Sequence, residues 1–531
     1  MADKKQNVQK KSSYNMRHSM VNYYLLVMFT FFEVFLTNQY ASARNDKFYL
    51  YISLTGALII SIVVISLSYY LDKNAPPQNR VVEHKKFFDV SSTDIAFLCF
   101  FVFACITTIV SDYKLDSLTG GAGRDNGLIL LFLYTAMYFI LSRYYYFKNY
   151  VLLAFLVFGC LISGLAVLHF FYIDPLGIMT GYSQDVINDF GTTIGNKNTI
   201  ASYMCVFLPF SMMMFVVQKN RYVKIMSAVS IAFAYCGLLV AGSNSGYIGF
   251  FTMLFVMALV CVRKPHLLRW FFFALTIMFT SGLLLKAFSF IMKDKSKGFE
   301  RIGEMLVYSN KIYVVITLCA VITCLLFFYK DRRFVNSKAL KNTLTATISL
   351  IGVIAVGVFS YYLYYYTFVD TTSDIGSLSQ ILRFDDRWGT HRGFFWINGM
   401  KEFFGFDFVH IMFGSGCDTF YHVFEPYFEE LSIRFNNGST NCIHSEFLNY
   451  LVTQGVLGLL SYLAILITSV YRGLKVSLKN ELALIFVFPV ITYAAQSVVN
   501  IYNPIVTPFL FIFIALSECL ARESNPVNRL E

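Results

Sequence analysis

The chain has 531 residues, of which 56% are hydrophobic, 18% aromatic and only 14% charged. A soluble globular domain usually carries about 25% charged residues, so this composition excludes an ordinary soluble protein and indicates one that meets a lipid bilayer. The formal net charge of +11 could suggest a nucleic-acid partner. However, most lysines and arginines lie in short loops that alternate with loops holding few. Membrane proteins with basic cytoplasmic loops have this distribution, so we expect no nucleic-acid partner.

Apolar stretches recur along the whole chain. The first 20 residues are polar and basic, and the apolar run after them lacks a small-residue cleavage pattern, so no cleaved signal peptide is expected. A helix that crosses a bilayer needs about 20 apolar residues. We therefore predict an all-α, polytopic membrane protein with about 14 transmembrane helices, within a range of 12 to 14. The predicted spans begin near Val21, Tyr49, Thr93, Gly127, Tyr150, Thr199, Tyr222, Gly246, Leu267, Lys311, Thr343, Ile443, Leu482 and Pro504.

The basic loops orient these spans with both termini in the cytoplasm. The predicted organisation is a basic cytoplasmic tail (1–20), eleven spans (21–366), a large extracytoplasmic segment (367–442), three further spans (443–521) and a second cytoplasmic tail (522–531). The expected location is the cytoplasmic membrane. All of the residues suited to chemistry then lie on its outer face.

The sequence has no nucleotide-binding loop, no zinc pattern and no calcium loop. We therefore expect no metal and no cofactor, and a substrate that arrives already activated. We also find no internal repeat of the kind that many transporters carry. Nine of the eleven cysteines fall in apolar runs. The other two, Cys417 and Cys442, lie in the large polar segment, where a disulfide could form in an oxidising compartment.

Two polar groups precede apolar helices in the first half of the chain. Arg124 follows the glycine-rich stretch Gly120–Gly123 and could bind a phosphate through two parallel hydrogen bonds. Alternatively, its side chain could extend to the membrane–water interface and pair with Asp125. The sequence leaves these alternatives open. Lys197 could add positive charge to an anion site, but Asn198 beside it is explained more simply as the N-cap of the next helix.

A third group combines two arginines, a histidine and two tryptophans. If the stretch is helical, Trp388, Arg392 and Trp396 are four residues apart and share one face, which places the guanidinium between two indoles. Such a face could bind sugar rings and phosphate, or dock the segment on the membrane surface. The presence of Arg387 and His391 in the same short stretch favours function.

The polar segment ends at His444, which stands beside Ser445 and Glu446 at the start of an apolar helix. A helix start favours an anionic group, and a neutral histidine there can accept a proton from a hydroxyl. The alternative is that these residues only cap the helix. Later, Gln496 and Asn500 could line a polar cavity or bond to neighbouring helices.

Residues 443–460, IHSEFLNYLVTQGVLGLL, resemble the signature of the O-antigen ligase and O-antigen polymerase superfamily. In that family a histidine, a small polar residue and an acidic residue precede a helix with a glycine-hydrophobic-leucine-glycine pattern. Arg392 with Trp396, followed by Gly414–Gly416, is similar to the family's arginine-and-tryptophan segment and glycine turn. Residues 195–209 and 496–508 also look like family segments. The chain departs from many members at 243–245, where it has no arginine.

The resemblance implies a membrane glycosyltransferase fold of the GT-C type and an inverting, metal-independent transfer on the outer face of the cytoplasmic membrane. The donor would be a glycan on undecaprenyl diphosphate, and the acceptor a hydroxyl of another glycan, a lipid or a wall polymer. Arg124 and Arg392 would grip the diphosphate, His444 would orient or deprotonate the acceptor, and Glu446 would be its support or an alternative base. The remaining expected substrate-binding residues are Arg387, Trp388, His391, Trp396, Lys197, Gln496 and Asn500.

Polymerase and ligase remain open, because the two share these motifs and differ chiefly in acceptor. The alternative from another class is a transporter or flippase of lipid-linked oligosaccharides. That function predicts internal repeats and charged residues within the spans, of which Glu33 is the main example. A structural scaffold would leave the arginine and histidine cluster unexplained.

Overall fold

The computed structural model describes residues 16–71, 89–292, 295–329, 337–436 and 438–523. This part of the chain is mostly helical, and its strands are the antiparallel pair Phe190–Gly191 and Gly195–Asn196. Ten of the described helices are long and apolar enough to cross a membrane. They are Tyr40–Ser68, Ser92–Val110, Asn149–Phe170, Lys197–Val217, Arg221–Ala241, Asn244–Val262, Pro265–Met292, Lys311–Phe328, Lys338–Val369 and Glu446–Ser477.

All ten coincide with predicted spans, so the prediction of an all-α polytopic protein is confirmed. The other four predicted spans are helical too, but each is shorter. They are residues 16–28, Leu128–Tyr144, Ala483–Val499 and Thr507–Glu523. The total of fourteen crossings and the GT-C type fold stay predictions. The ends of both predicted tails (1–15 and 524–531) and most of the predicted loop after the second span (72–88) lie outside the described residues.

The helix Lys197–Val217 forms the centre of the bundle. Every residue from Ile200 to Val217 is buried, and the helix packs against Arg221–Ala241 and Ala483–Gln496. By contrast, no residue of the helix Lys338–Tyr364 is buried. This helix packs against Asn244–Val262, and its remaining apolar surface would be covered by lipid in a membrane, so it lies at the edge of the bundle.

The polar segment 367–445 folds into short helices with an apolar core of its own. That core contains Phe394, Phe420, Leu431 and Ile443. The helices are Ser379–Leu382, Trp388–Gly405, Phe408–Phe413, Phe420–Phe424 and Phe428–Phe435. A packed core gives this segment fixed geometry, so its polar residues can be placed precisely enough to form a site.

Two glycines join this segment to the helix Glu446–Ser477. Gly455 has φ +70° and kinks that helix, and Gly414 has φ +77° directly beside it. A Cβ on Gly455 would lie 2.4 Å from the Met412 carbonyl group, so only glycine fits. The kink frees two helix carbonyls, which accept backbone N–H groups from the turn. The bonds are Ser415 to Val452 (3.2 Å) and Gly416 to Thr453 (3.0 Å).

Candidate functional site

Two adjoining cavities at one end of the bundle share the walls formed by Arg44, Arg124 and His444. The larger, which we name the polar cavity, has a volume of about 650 Å³. The smaller, which we name the asparagine cavity, has a volume of about 290 Å³. The polar cavity is further lined by Asp116, Gly121–Gly123, Tyr421, His422 and Ser439–Asn441. The asparagine cavity is further lined by Asn196, Asn198, Asn500 and Asn503, with Tyr40, Phe190, Ile194 and Ile505 among its other residues.

The loop that carries Arg124 is held by a buried carboxylate. Asp418 accepts the backbone N–H groups of Arg124 (2.5 Å) and Asn126 (2.8 Å) on one oxygen. Its other oxygen accepts the Tyr502 hydroxyl at 2.6 Å. Burial raises the pKa of the Asp418 carboxyl to about 7, although these three donors lower it. The loop is therefore anchored through its backbone, which leaves the Arg124 side chain available to a ligand.

The Arg124 guanidinium acts electrostatically on the Asp125 carboxylate and on the Cys442 sulfur. Its Nε is buried and makes no hydrogen bond to any described residue. The sequence offered Asp125 as the ion-pair partner of Arg124. In the structure the Asp125 carboxylate instead lies 3.0 Å from Nε of another arginine, Arg44. Arg44 sits in the first turn of the helix Ala43–Leu71, where the helix dipole disfavours a cation. The two arginines thus act on one neighbouring carboxylate, that of Asp125, at the junction of the cavities.

His444 is held in a restrained position beside them. Its backbone has φ +57°, a region that residues other than glycine rarely adopt and that is frequent at functional sites. The imidazole stacks on the ring of Phe395, with centroids 5.3 Å apart. The indole N–H of Trp396 donates to the preceding carbonyl, that of Ile443, at 3.0 Å. Trp396 therefore supports the histidine rather than lining either cavity.

Behind the cavity wall, Cys442 lies among three positively charged or polar groups. Burial alone would raise the pKa of its thiol, but Arg124 and His444, which also hydrogen-bonds the sulfur, lower it to about 5. Arg392 interacts electrostatically with the same sulfur, and its Nε is buried without a described partner. Arg392 thus lies close to the site without lining either cavity. Cys442 and Cys417 are both free thiols, so the disulfide considered from the sequence is not formed.

The N-cap of the helix Lys197–Val217, which lies beside the asparagine cavity, is not the predicted residue Asn198. The side chain of Asn196, not that of Asn198, caps the helix by accepting the N–H groups of Asn198 (2.7 Å) and Thr199 (3.3 Å). Asn500 lines the cavity and also donates to Ser202 at 2.8 Å. Gln496 is fully buried, and its side-chain oxygen accepts from Asn500 at 2.8 Å and from Ser202, on the neighbouring helix Lys197–Val217, at 3.2 Å. Both alternatives left open for this pair therefore hold, the cavity for Asn500 and helix bonding for Gln496.

Lys197 lies in a different place. It lines a third cavity of about 150 Å³, together with His169, Lys297 and Glu300. Its ammonium group is 2.9 Å from a carboxylate oxygen of Asp189. The structure therefore separates Lys197 from the junction of Arg44, Arg124 and His444.

Glu446 is enclosed within the bundle. The residue has no exposed surface, and its carboxylate accepts the hydroxyls of Tyr462 (2.6 Å) and Tyr493 (3.1 Å). Ser445 is the N-cap of this helix and accepts the N–H of Leu448 at 3.4 Å. The predicted capping role thus belongs to Ser445, while Glu446 faces tyrosines and lines neither cavity.

The expected helical face of Trp388, Arg392 and Trp396 is not formed. Residues 389–391 have left-handed backbone angles, so the spacing of four residues does not follow one helix. The two indoles contact each other directly, with ring centroids 5.0 Å apart, and the guanidinium does not lie between them.

The other two predicted residues of this stretch, Arg387 and His391, line neither cavity. Arg387 is exposed. The ring of His391 packs on Phe435 at 4.2 Å, and burial together with Arg387 lowers its pKa.

Sequence reasoning did not single out Arg44 or Asp418. Arg44 lies in a short stretch between two apolar runs and belongs to no motif. Asp418 follows the glycine turn, and nothing in the sequence around it distinguishes it from an ordinary loop residue. The available signals were indirect, namely a cation in a helix first turn and an acidic residue directly after a glycine-rich turn.

Comparisons with known proteins leave these features unassigned. No family model matches the chain, and no curated protein matches it either. Fold and site therefore define the class of protein. It is an all-α protein with helices suited to crossing a membrane, and it has two adjoining cavities with two arginines and a histidine where they meet.

Proposed function

We propose that the chain is a membrane glycosyltransferase that transfers or polymerises oligosaccharides linked to undecaprenyl diphosphate, as its resemblance to O-antigen ligases and polymerases implies. The proposal includes a GT-C type fold of about 14 crossings, cytoplasmic termini, and a site on the outer face of the cytoplasmic membrane. The acceptor is a hydroxyl of a glycan, a lipid or a wall polymer. No metal and no cofactor take part.

One observation carries the proposal. Arg124 and His444, which were selected from the sequence for phosphate binding and proton transfer, line the same two cavities although 320 residues separate them along the chain. Arg44 joins them from a third segment. A guanidinium forks onto phosphate oxygens through two parallel hydrogen bonds, so two arginines suit a diphosphate.

The shape of the site supports a reaction between two substrates. In an inverting transfer the acceptor oxygen must reach the donor's anomeric carbon from the face opposite the leaving diphosphate, and two cavities that adjoin at the charged residues can hold the two substrates in this way. We assign the diphosphate to the junction. Asn196, Asn198, Asn500 and Asn503 line the smaller cavity, and asparagine amides can both donate to and accept from sugar hydroxyls.

The proposed step is a single displacement. The acceptor oxygen attacks the anomeric carbon on the face opposite the diphosphate, and its proton passes to the His444 imidazole. The bond from that carbon to the diphosphate oxygen breaks, and its electron pair leaves with the diphosphate. Arg44 and Arg124 stabilise the charge that develops there. The histidine then returns the proton to water.

The experiment is a transfer assay with purified protein in lipid vesicles, in which the lipid-linked repeat unit is the only sugar source. A ladder formed from repeats alone identifies a polymerase, and a single addition to a separate acceptor identifies a ligase. Loss of a general base typically costs about 10²- to 10⁴-fold, so we expect His444→Ala to lose at least about 100-fold. Arg434→Ala, which removes an exposed arginine paired with Asp386 and Glu430, serves as the matched control and should leave transfer unchanged.

Two results would reject the proposal. A fully active His444→Ala would remove the assigned base. Movement of the donor across the bilayer without a new glycosidic bond would instead identify a flippase.

A further inference from the structure

A chain of buried hydrogen bonds begins next to His444. The backbone N–H of Ile443 donates to Oδ1 of Asn449 at 3.3 Å. The amide of Asn449 donates to the Tyr502 hydroxyl at 2.6 Å, and that hydroxyl donates to Oδ1 of Asp418 at 2.6 Å. Three separate parts of the fold are thereby joined in sequence.

The chain ends at the loop that carries Arg124. The second oxygen of Asp418 accepts the backbone N–H groups of Arg124 at 2.5 Å and Asn126 at 2.8 Å. Asp418, Asn449 and Tyr502 are each no more than 2% exposed. Water therefore cannot readily replace any of these bonds.

The donors and acceptors match along this route. The Tyr502 hydroxyl accepts one bond and donates one, and the Asp418 carboxylate accepts three. A buried polar network that satisfies all its members fixes one arrangement, whereas removing one member leaves its neighbours unpaired. A second contact, from the Asn441 amide to the Gly123 carbonyl at 3.0 Å, links the same two segments.

We propose that Asp418, Tyr502 and Asn449 are positioning residues that hold His444 at a fixed separation from Arg124. None of the three lines either cavity, so they act through the residues that do. The bond network sets the distance between the group that takes the proton and the group that holds the leaving diphosphate. The catalytic consequence rests on the proposed glycosyl transfer. The mechanical linkage does not, and it can be measured without any substrate.

The first test is amide hydrogen exchange on the purified full-length protein, wild type against Tyr502→Phe. This substitution keeps the ring on Tyr450, with centroids 5.4 Å apart, and removes the hydroxyl that makes both bonds. That hydroxyl donates to the carboxylate that accepts both backbone N–H groups, so the amides of residues 124 and 126 should exchange about tenfold faster or more. The control is Tyr235→Phe, which removes a buried hydroxyl that makes no hydrogen bond to a described residue.

Unchanged protection at residues 124 and 126 in Tyr502→Phe would overturn the linkage. Faster exchange in both variants would also overturn it, because the effect would then be a general loosening of the bundle.

The second test is steady-state transfer. A displacement of about 1 Å at a reacting group can cost about 100-fold, so kcat in Tyr502→Phe should fall about 10- to 100-fold, while KM for the donor changes less than about threefold. The double variant with Asp418→Asn should be no slower than the slower single variant, because both belong to one network. Faster exchange with unchanged kcat would overturn the catalytic role. Absence of transfer in the wild type would reject the proposed function and leave the linkage to be decided by hydrogen exchange.

Discussion

Replacing Arg124 by alanine tests the charged junction most directly. In the proposed reaction this guanidinium binds the departing diphosphate, and a hydrogen bond to a charged group contributes about 1.5–3 kcal/mol. Since about 1.36 kcal/mol corresponds to a tenfold change in rate, transfer should fall about 10- to 150-fold. The Arg44→Ala variant should fall within the same range, because Arg44 lines the same two cavities.

The structure predicts that this loss occurs without unfolding. Asp418 binds the backbone N–H of Arg124, and alanine retains that group. The side-chain Nε makes no hydrogen bond to a described residue, so its removal leaves no broken pair there. The apparent melting temperature of Arg124→Ala should therefore stay within a few degrees of wild type, as should that of the control Arg434→Ala.

The assay is vesicle transfer at several donor concentrations. If both arginines hold one diphosphate, the Arg44→Ala and Arg124→Ala double variant should lose less than the product of the two single losses, because the effects of residues that act on a common group are not independent. Strictly multiplicative losses would refute the shared contact. Single variants that transfer at the wild-type rate would refute the placement of the diphosphate at the junction.

Three further predictions depend on whether a particular side chain is exposed or buried. Arg387→Ala should change transfer by less than about twofold, as is usual for surface substitutions, and a larger loss in the vesicle assay would mean that this exposed arginine reaches the substrate. Glu446→Gln should lower the apparent melting temperature by several degrees, because one tyrosine hydroxyl loses its acceptor, while turnover of the folded protein stays within about threefold; a large loss of turnover at unchanged stability would restore a catalytic role. Burial raises the pKa of Asp418 from 3.8 to about 7, so its stabilising contribution is complete below about pH 4 and is lost as the pH rises through 7. The melting temperature of wild type relative to Asp418→Asn should therefore fall between pH 5 and pH 8, and a constant difference would contradict this.

The helices could be predicted from the sequence because each depends on a local property. A run of about 20 apolar residues specifies a crossing helix without reference to the rest of the chain. The same property explains the less certain spans. The first is interrupted by a turn at residues 29 and 30, and the last carries Glu518 and Arg522, which make ion pairs with other parts of the bundle. The length of an apolar run does not reveal a turn or an ion-paired residue within it.

The site could be predicted only in part, because its contacts are long-range. Arg124 and His444 were identifiable, since each stands between a polar stretch and an apolar helix. Their partners were not, because the pairing of Arg44 with Asp125 and of Asp418 with Tyr502 depends on how distant segments pack. The error at residues 389–391 has a different cause, since spacing predicts a shared face only where the backbone is helical.

The family-like residues have structural roles that explain why a short pattern could indicate a site. Ser445 caps the helix, and Asn449 holds the backbone beside His444. Gly455 breaks the helix so that its carbonyls can bind the Gly414–Gly416 turn. That turn leads directly to Asp418, which holds the Arg124 loop. The pattern of histidine, serine, acid and glycine therefore specifies a geometry that brings the Arg124 loop and His444 together, whereas Arg44 and Arg124 reach the junction of the cavities from segments outside this pattern.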